Sequence, residues 1–218
     1  MTETAAPAQG PSQARLWAEM LVLFVGVPVL MLVFFGHYPL FGALLFLAAI
    51  AAGLLQVTPG FSFGELLRGP LLGEWRLILA FALLTAASTA ALAIWLVPWR
   101  FLAMPTERTG LWLMIMIAYP IASVLPQELI YRPLFFRRYG ALWGGPALRV
   151  IANGALFAVG HLFYQNPVAI LCTLGAGILI GAAYERTGSF PLAVVLHALA
   201  GQIMFTMGLG VFFYHGAV

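Results

Sequence analysis

Seven runs of mostly apolar residues fill most of this chain: near 16–36, 38–57, 77–97, 111–136, 147–164, 167–184 and 189–214. Each is close to the length of a bilayer-spanning helix, which takes about 20 residues at about 1.5 Å rise each to cross a hydrocarbon core about 30 Å thick. Charge is too scarce to cover a water-soluble surface: of 218 residues, 63% are apolar and 8% charged, with a mean hydropathy of +1.00. A soluble domain carries roughly a quarter charged residues. The expected fold is all-α: a polytopic transmembrane helix bundle of about seven spans, with broken helices around a central cavity.

Residues 1–14, MTETAAPAQGPSQA, have no periodicity and read as a disordered cytoplasmic tail. The apolar run after Arg15 is long and not preceded by a basic stretch, so it reads as a retained first span rather than a signal peptide. Spans one to three and their loops make up residues 15–110, and a second transmembrane unit, the core, takes up 111–218. The stretch 58–76 has Pro, Gly and four charges and reads as a loop with an interfacial helix. Gly177 and Gly181 form a GxxxG step, which signals close helix packing.

The chain has no Lys and no Asp, so its charge rests on ten Arg and seven Glu. Arg15, Arg68, Arg76, Arg137, Arg138, Arg149 and Arg186 fall on one set of loops, and only Arg100 and Arg108 on the other. That bias places the N-terminus in the cytoplasm and the C-terminus outside, as expected for a bacterial cytoplasmic membrane protein. The net charge of +3 is too small, and the Arg too scattered, for nucleic-acid binding. The partner expected from composition is the lipid bilayer; a membrane-associated peptide or protein is the partner only on the hydrolase reading reached from the residues below. Cys172, in an apolar run, reads as a small buried residue.

Ionisable groups at membrane depth are costly and are candidates for function by default. Three spans supply them, through Glu128 with Arg132, His161 and His197. Counted from the cytoplasmic edges of their spans, Glu128, His161 and His197 lie at depths of roughly 13, 18 and 12 Å, which points to a shared cavity. Glu128 and Arg132 are i, i+4 and face one another along a helix. Pro120, Pro126 and Pro133 predict a kink or restart near Gln127, which would aim a positive helix dipole at Glu128. His37 and His215, at span ends, read as interfacial. Asn153 and Gln165 read as helix glue or loop residues.

A carboxylate with two imidazoles suits water activation: the Glu takes a proton, one His holds the water and the other stabilises the oxyanion. The same trio could hold zinc through His, His and Glu with an open fourth position. No HExxH motif is present, so zinc is the less favoured reading and no cofactor is expected. Ser123 and Thr206 have no base in their own spans.

At these residues the chain resembles the CPBP (CAAX protease and bacteriocin-processing, or Abi) intramembrane endopeptidases. That family has EExxxR, then FxxxH, then HxxxN or HxxxD on separate spans. The counterparts here are Gln127-Glu128-xxx-Arg132, Phe157-xxx-His161 and His197-xxx-Gly201, with Arg186-Thr187-Gly188-Ser189 also family-like. The resemblance covers about residues 111–205 and implies glutamic-type hydrolysis of a peptide bond, with Gln127, Glu128, Arg132, His161 and His197 as site residues. Two departures stand out. Gln127 replaces the first Glu, so either Glu128 serves as the base or hydrolysis is impaired. Gly201 replaces the Asn or Asp, and Gln202 is about 100° further round the helix. The rival reading is a binding or chaperone-like relative without turnover. A small transporter is a third, but the chain has no internal repeat of the kind transporters carry.

Overall fold

The computed structural model describes residues 10–34 and 40–213, and every regular element within them is helical. The segments are α1 (Gln13–Phe34), α2 (Leu40–Gln56), α3 (Leu72–Leu96), α4 (Thr109–Leu142), α5 (Pro146–Tyr164), α6 (Pro167–Thr187) and α7 (Phe190–Met207). Six are long and apolar enough to cross a membrane, and α2, with 17 residues, is the short one. At about 1.5 Å per residue, α2 reaches the lower limit for a span. The protein is an integral membrane protein. Its outer surface agrees: Val33, Phe46, Leu83 and Ile117 are each more than 60% exposed, as lipid-facing side chains are.

Several boundaries differ from expectation. Ser12 accepts a hydrogen bond from the Arg15 N–H at 3.3 Å, so α1 starts at Gln13, inside the stretch read as a tail. Residues 1–9 of that tail, with His37 and His215, lie outside the described residues. In the loop before α3, Ser62 and Glu65 form a capping box on the short 3₁₀ turn Phe63–Leu67.

Of the kink or restart expected near Gln127, the restart is absent. The helix runs through all three prolines by opening into π turns at Pro120–Val124 and Ile130–Tyr139, with Leu125–Leu129 α-helical between them. A π turn adds a residue to the hydrogen-bonded loop, which accommodates a proline that lacks an N–H without ending the helix. No helix therefore starts at Gln127. The positive charge beside Glu128 comes from Arg132 instead.

Three apolar clusters hold the bundle together. Met20, Phe24, Ala51, Leu55, Leu134, Phe135 and Tyr139 join α1 and α2 to the second half of α4. Phe81, Ile180, Leu192 and Leu196 join α3, α6 and α7. Ala93, Val97, Met204, Phe205 and Leu209 close the far end of α3 against α7. The α5–α6 contact uses the GxxxG step: a Cβ on Gly177 would stand 3.0 Å from the Gly154 Cα, and one on Gly181 would stand 3.0 Å from the Asn153 Oδ1. Glycine at both positions lets the α5 and α6 backbones touch.

Loops assigned to one side of the membrane do converge at one end. Arg138 bonds Glu19 at 2.7 Å, Arg149 bonds Glu185 at 2.9 Å, and Arg186 grips Glu74 at 2.6 and 3.1 Å. Arg137 reaches the Gly60 carbonyl at 2.6 Å and Glu65 at 3.3 Å. Between α6 and α7, Gly188 takes φ +63°, which a side chain would resist, and Ser189 caps α7 through the Leu192 N–H.

Candidate active site

The site starts from the i, i+4 spacing on α4. Glu128 and Arg132 are both fully buried, and Arg132 Nε donates to Glu128 Oε2 at 3.0 Å. A buried pair is stable only if its remaining hydrogen-bonding groups find partners. Here α5 and α7 supply them. Arg132 Nη1 donates to Asn153 Oδ1, and Asn153 Nδ2 donates to the Tyr131 carbonyl at 2.7 Å. From α7, His197 Nδ1 bonds Glu128 Oε1 at 2.8 Å. The Arg132 guanidinium also lies 5.5 Å from the centre of the Phe157 ring, in cation–π range.

His161 enters from the end of α5. The α-helical part of α5 ends at Val159, and His161 begins the 3₁₀ turn Leu162–Tyr164. Its Nδ1 lies 2.7 Å from the Phe157 carbonyl. A carbonyl only accepts, so Nδ1 carries the proton and Nε2 of the neutral ring is the acceptor. His197 Nδ1 faces a carboxylate, which also only accepts, so that nitrogen carries a proton too. Both imidazoles flank the Phe157 ring, at centroid distances of 4.6 Å for His161 and 5.3 Å for His197.

A cavity of about 430 Å³ lies among α3, α4, α5, α6 and α7. His161, His197 and Gln127 line it, together with Tyr119, Ser123, Tyr164, Cys172 and an apolar wall that includes Phe81, Leu84 and Leu171. Glu128 was expected in that wall and is not among the lining residues. It stands behind His197, with both oxygens engaged. Gln127, one residue earlier and about 100° round the helix, takes the exposed position, and its Nε2 donates to Ser123 Oγ at 2.8 Å. A smaller chamber of about 90 Å³ on the α1–α2 side shares Ser123, Gln127, His161 and Tyr164 with the main one. Gln127 and His161 thus sit where the two spaces adjoin.

A family model described as type II CAAX prenyl endopeptidase Rce1-like matches residues 108–203. The chain carries an Rce1-like domain. No curated protein and no solved structure matches the chain. The Rce1-like domain contains α4, α5, α6 and most of α7, and with them Gln127, Glu128, Arg132, His161 and His197. It does not enclose the cavity alone, because α3 contributes Phe81, Leu84 and Ser88 to the wall from outside the matched segment.

Among the described residues of the Rce1-like domain and beyond it, no three His, Cys, Asp or Glu side chains converge as a metal ligand set. Asn153, read as helix glue, does join helices, and it does so at the site by holding Arg132. Cys172 is only partly buried and faces the cavity, contrary to the expectation of a buried residue. Tyr119 was missed. The signal was available: Tyr119, Ser123 and Gln127 recur at i, i+4 and i+8, a polar stripe on an otherwise apolar span.

Proposed function

We propose that this chain is an intramembrane endopeptidase that hydrolyses a peptide bond of a membrane-associated or lipidated protein. The observation that carries the reading is that His161 and His197, from different helices, line one cavity with each Nδ1 occupied, leaving both Nε2 atoms for a water. His197 Nε2 takes a proton from the water as its oxygen bonds to the carbonyl carbon. Glu128 holds the imidazole in the tautomer this needs and stabilises the imidazolium that forms, the role of the carboxylate behind the histidine in a serine-protease triad. His161 Nε2 accepts the water's second O–H and orients its lone pair. The imidazolium then gives its proton to the leaving amine as the C–N bond breaks.

The substrate class follows from the family description and the apolar walls. We propose a protein with a prenylated cysteine near its C-terminus, bound with its lipid against Phe81, Leu84 and Leu171. The orientation we propose puts the N-terminus in the cytoplasm of a bacterial cell, because the Arg-rich loops gather at one end of the bundle. The test is cleavage of an internally quenched, farnesylated CAAX-type peptide by the purified protein. Native protein should cleave it, and His161→Ala and His197→Ala should not.

One observation favours a second reading. The side chain facing the cavity at the α4 position is the neutral amide of Gln127, which cannot take a proton. A relative that binds lipidated proteins without cleaving them would have this arrangement. Saturable binding of the same peptide with no product from native protein or from Gln127→Glu would favour it.

A further inference from the structure

We propose that the Tyr119 hydroxyl is the oxyanion donor of this site, occupying the space that a side chain at position 201 would otherwise fill. The proposal rests on the peptidase reading. Peptide hydrolysis by water places a negative charge on the carbonyl oxygen, and a hydrogen-bond donor aimed at that point is the largest single help an enzyme gives. The two imidazoles do not supply it at the first step, since each presents an unprotonated Nε2. The hydroxyls of Ser88, Thr89 and Thr173 in the cavity wall are turned onto carbonyls of their own helices, at 3.2, 2.7 and 2.7 Å.

Tyr119 meets the need. It lines the cavity one helical turn from Ser123 and two from Gln127, and its ring stands edge-on to His197 at a centroid distance of 6.1 Å. No group among the described residues hydrogen-bonds its hydroxyl. The link to Gly201 is steric: a Cβ at 201 would run into the Cε1, Cζ and hydroxyl oxygen of Tyr119. Position 201 is one turn beyond His197 on the same face of α7. A glycine there leaves no donor on α7 and opens the space into which α4 delivers a phenol. The tyrosine and the glycine are two halves of one exchange.

In the step proposed, the water oxygen bonds to the carbonyl carbon, and the C=O π pair moves onto oxygen. The Tyr119 O–H donates to that oxygen without losing its proton, while the water's proton goes to His197. When the C=O bond re-forms, the C–N pair takes that proton and leaves as the amine. Tyr119 ends as it began.

The test measures kcat and KM for the farnesylated quenched peptide in native and Gln127→Glu backgrounds, alongside thermal stability in detergent. Tyr119→Phe should lower kcat about 10²–10³-fold with KM nearly unchanged and no loss of melting temperature, because the hydroxyl has no partner to lose. Tyr119→Ala/Gly201→Asn should recover at least a tenth of the lost rate by moving the donor to α7, whereas Gly201→Asn alone should melt earlier. Unchanged kcat in Tyr119→Phe, in a chain that cleaves, overturns the role of Tyr119 and leaves the peptidase reading standing. Absence of cleavage in both backgrounds overturns the peptidase reading, and the role of Tyr119 with it. If Gly201→Ala lowers stability equally in the native protein and in the Tyr119→Ala variant, the steric exchange is wrong.

Discussion

His197 Nδ1 lies 2.8 Å from Glu128 Oε1 and ties α7 to α4 across 69 residues of sequence, at the wall of the cavity. Glu128 in turn accepts from Arg132 Nε at 3.0 Å, so the carboxylate stands between an arginine and a histidine with no face left for water. On the peptidase reading proposed above, its role is to position the imidazole. Glu128→Gln puts an N–H donor where Arg132 or His197 already donates. We expect a fall in kcat of about 10²–10⁴-fold, the scale set by losing the carboxylate behind a catalytic histidine. Single-turnover cleavage of the farnesylated peptide measures it, and a native rate would remove Glu128 from the mechanism.

Arg132 is fully buried, and its partners Glu128 and Asn153 are buried with it. Removing one member of such a pair leaves an uncompensated charge in a dry site, at a cost of about 3–5 kcal/mol. Arg132→Ala should therefore melt well below native protein in detergent, whereas Arg68→Ala, at an exposed loop position, should melt close to it. Equal melting points for the two variants would mean that the pair carries no stability.

Gln127 faces the cavity and is held by Ser123 at 2.8 Å. Gln127→Glu keeps the shape and adds an oxygen that can take a proton, and the Ser123 hydroxyl can turn to donate to it. General-base assistance is worth about 10²–10⁴-fold, so the variant should cleave faster than native protein if the site lacks a sufficient base. If the Glu128–His197 pair already serves, a second carboxylate nearby should leave the rate equal or lower it. Rates across pH 5 to 9, an interval chosen to cover the usual titration of histidine (about 6.5), separate the two cases.

The α5–α6 contact reaches the site through Gly181, whose added Cβ would stand 3.0 Å from the Asn153 Oδ1 that accepts from Arg132. Gly181→Val overpacks this contact and should destabilise the protein by about 1–3 kcal/mol, with a loss of cleavage as Asn153 is displaced. Gly175→Ala, where an added Cβ meets nothing within 4 Å, should leave the melting temperature unchanged. A Gly181→Val protein that melts and cleaves like native would show that α6 can move away without disturbing Asn153.

A chelator should not change the rate. The ligand set once open for zinc was His161, His197 and Glu128, and both Glu128 oxygens are engaged by Arg132 and His197. Cleavage in the presence of EDTA, with elemental analysis of the purified protein, checks this. One tightly held zinc per chain and activity lost on chelation would overturn it.

The amino-acid sequence alone determined the spans, since bilayer thickness sets how many apolar residues a helix needs and that count can be read locally. It also determined the Glu128–Arg132 pair, because helical periodicity puts i and i+4 on one face. It brought Glu128, His161 and His197 to one layer, because depth along a span is a matter of counting. What only tertiary structure decided was rotation. Gln127 and Glu128 are adjacent polar residues about 100° apart on α4, and nothing in their order says which one looks into the cavity. The π turns at Pro120–Val124 and Ile130–Tyr139 shift the phase of α4 by an amount its sequence does not announce. Packing against α5 and α7 then turns Glu128 toward Arg132 and His197 and leaves Gln127 and Tyr119 facing the cavity. A buried charge goes where partners from other helices can meet it, and those partners are distant in the chain.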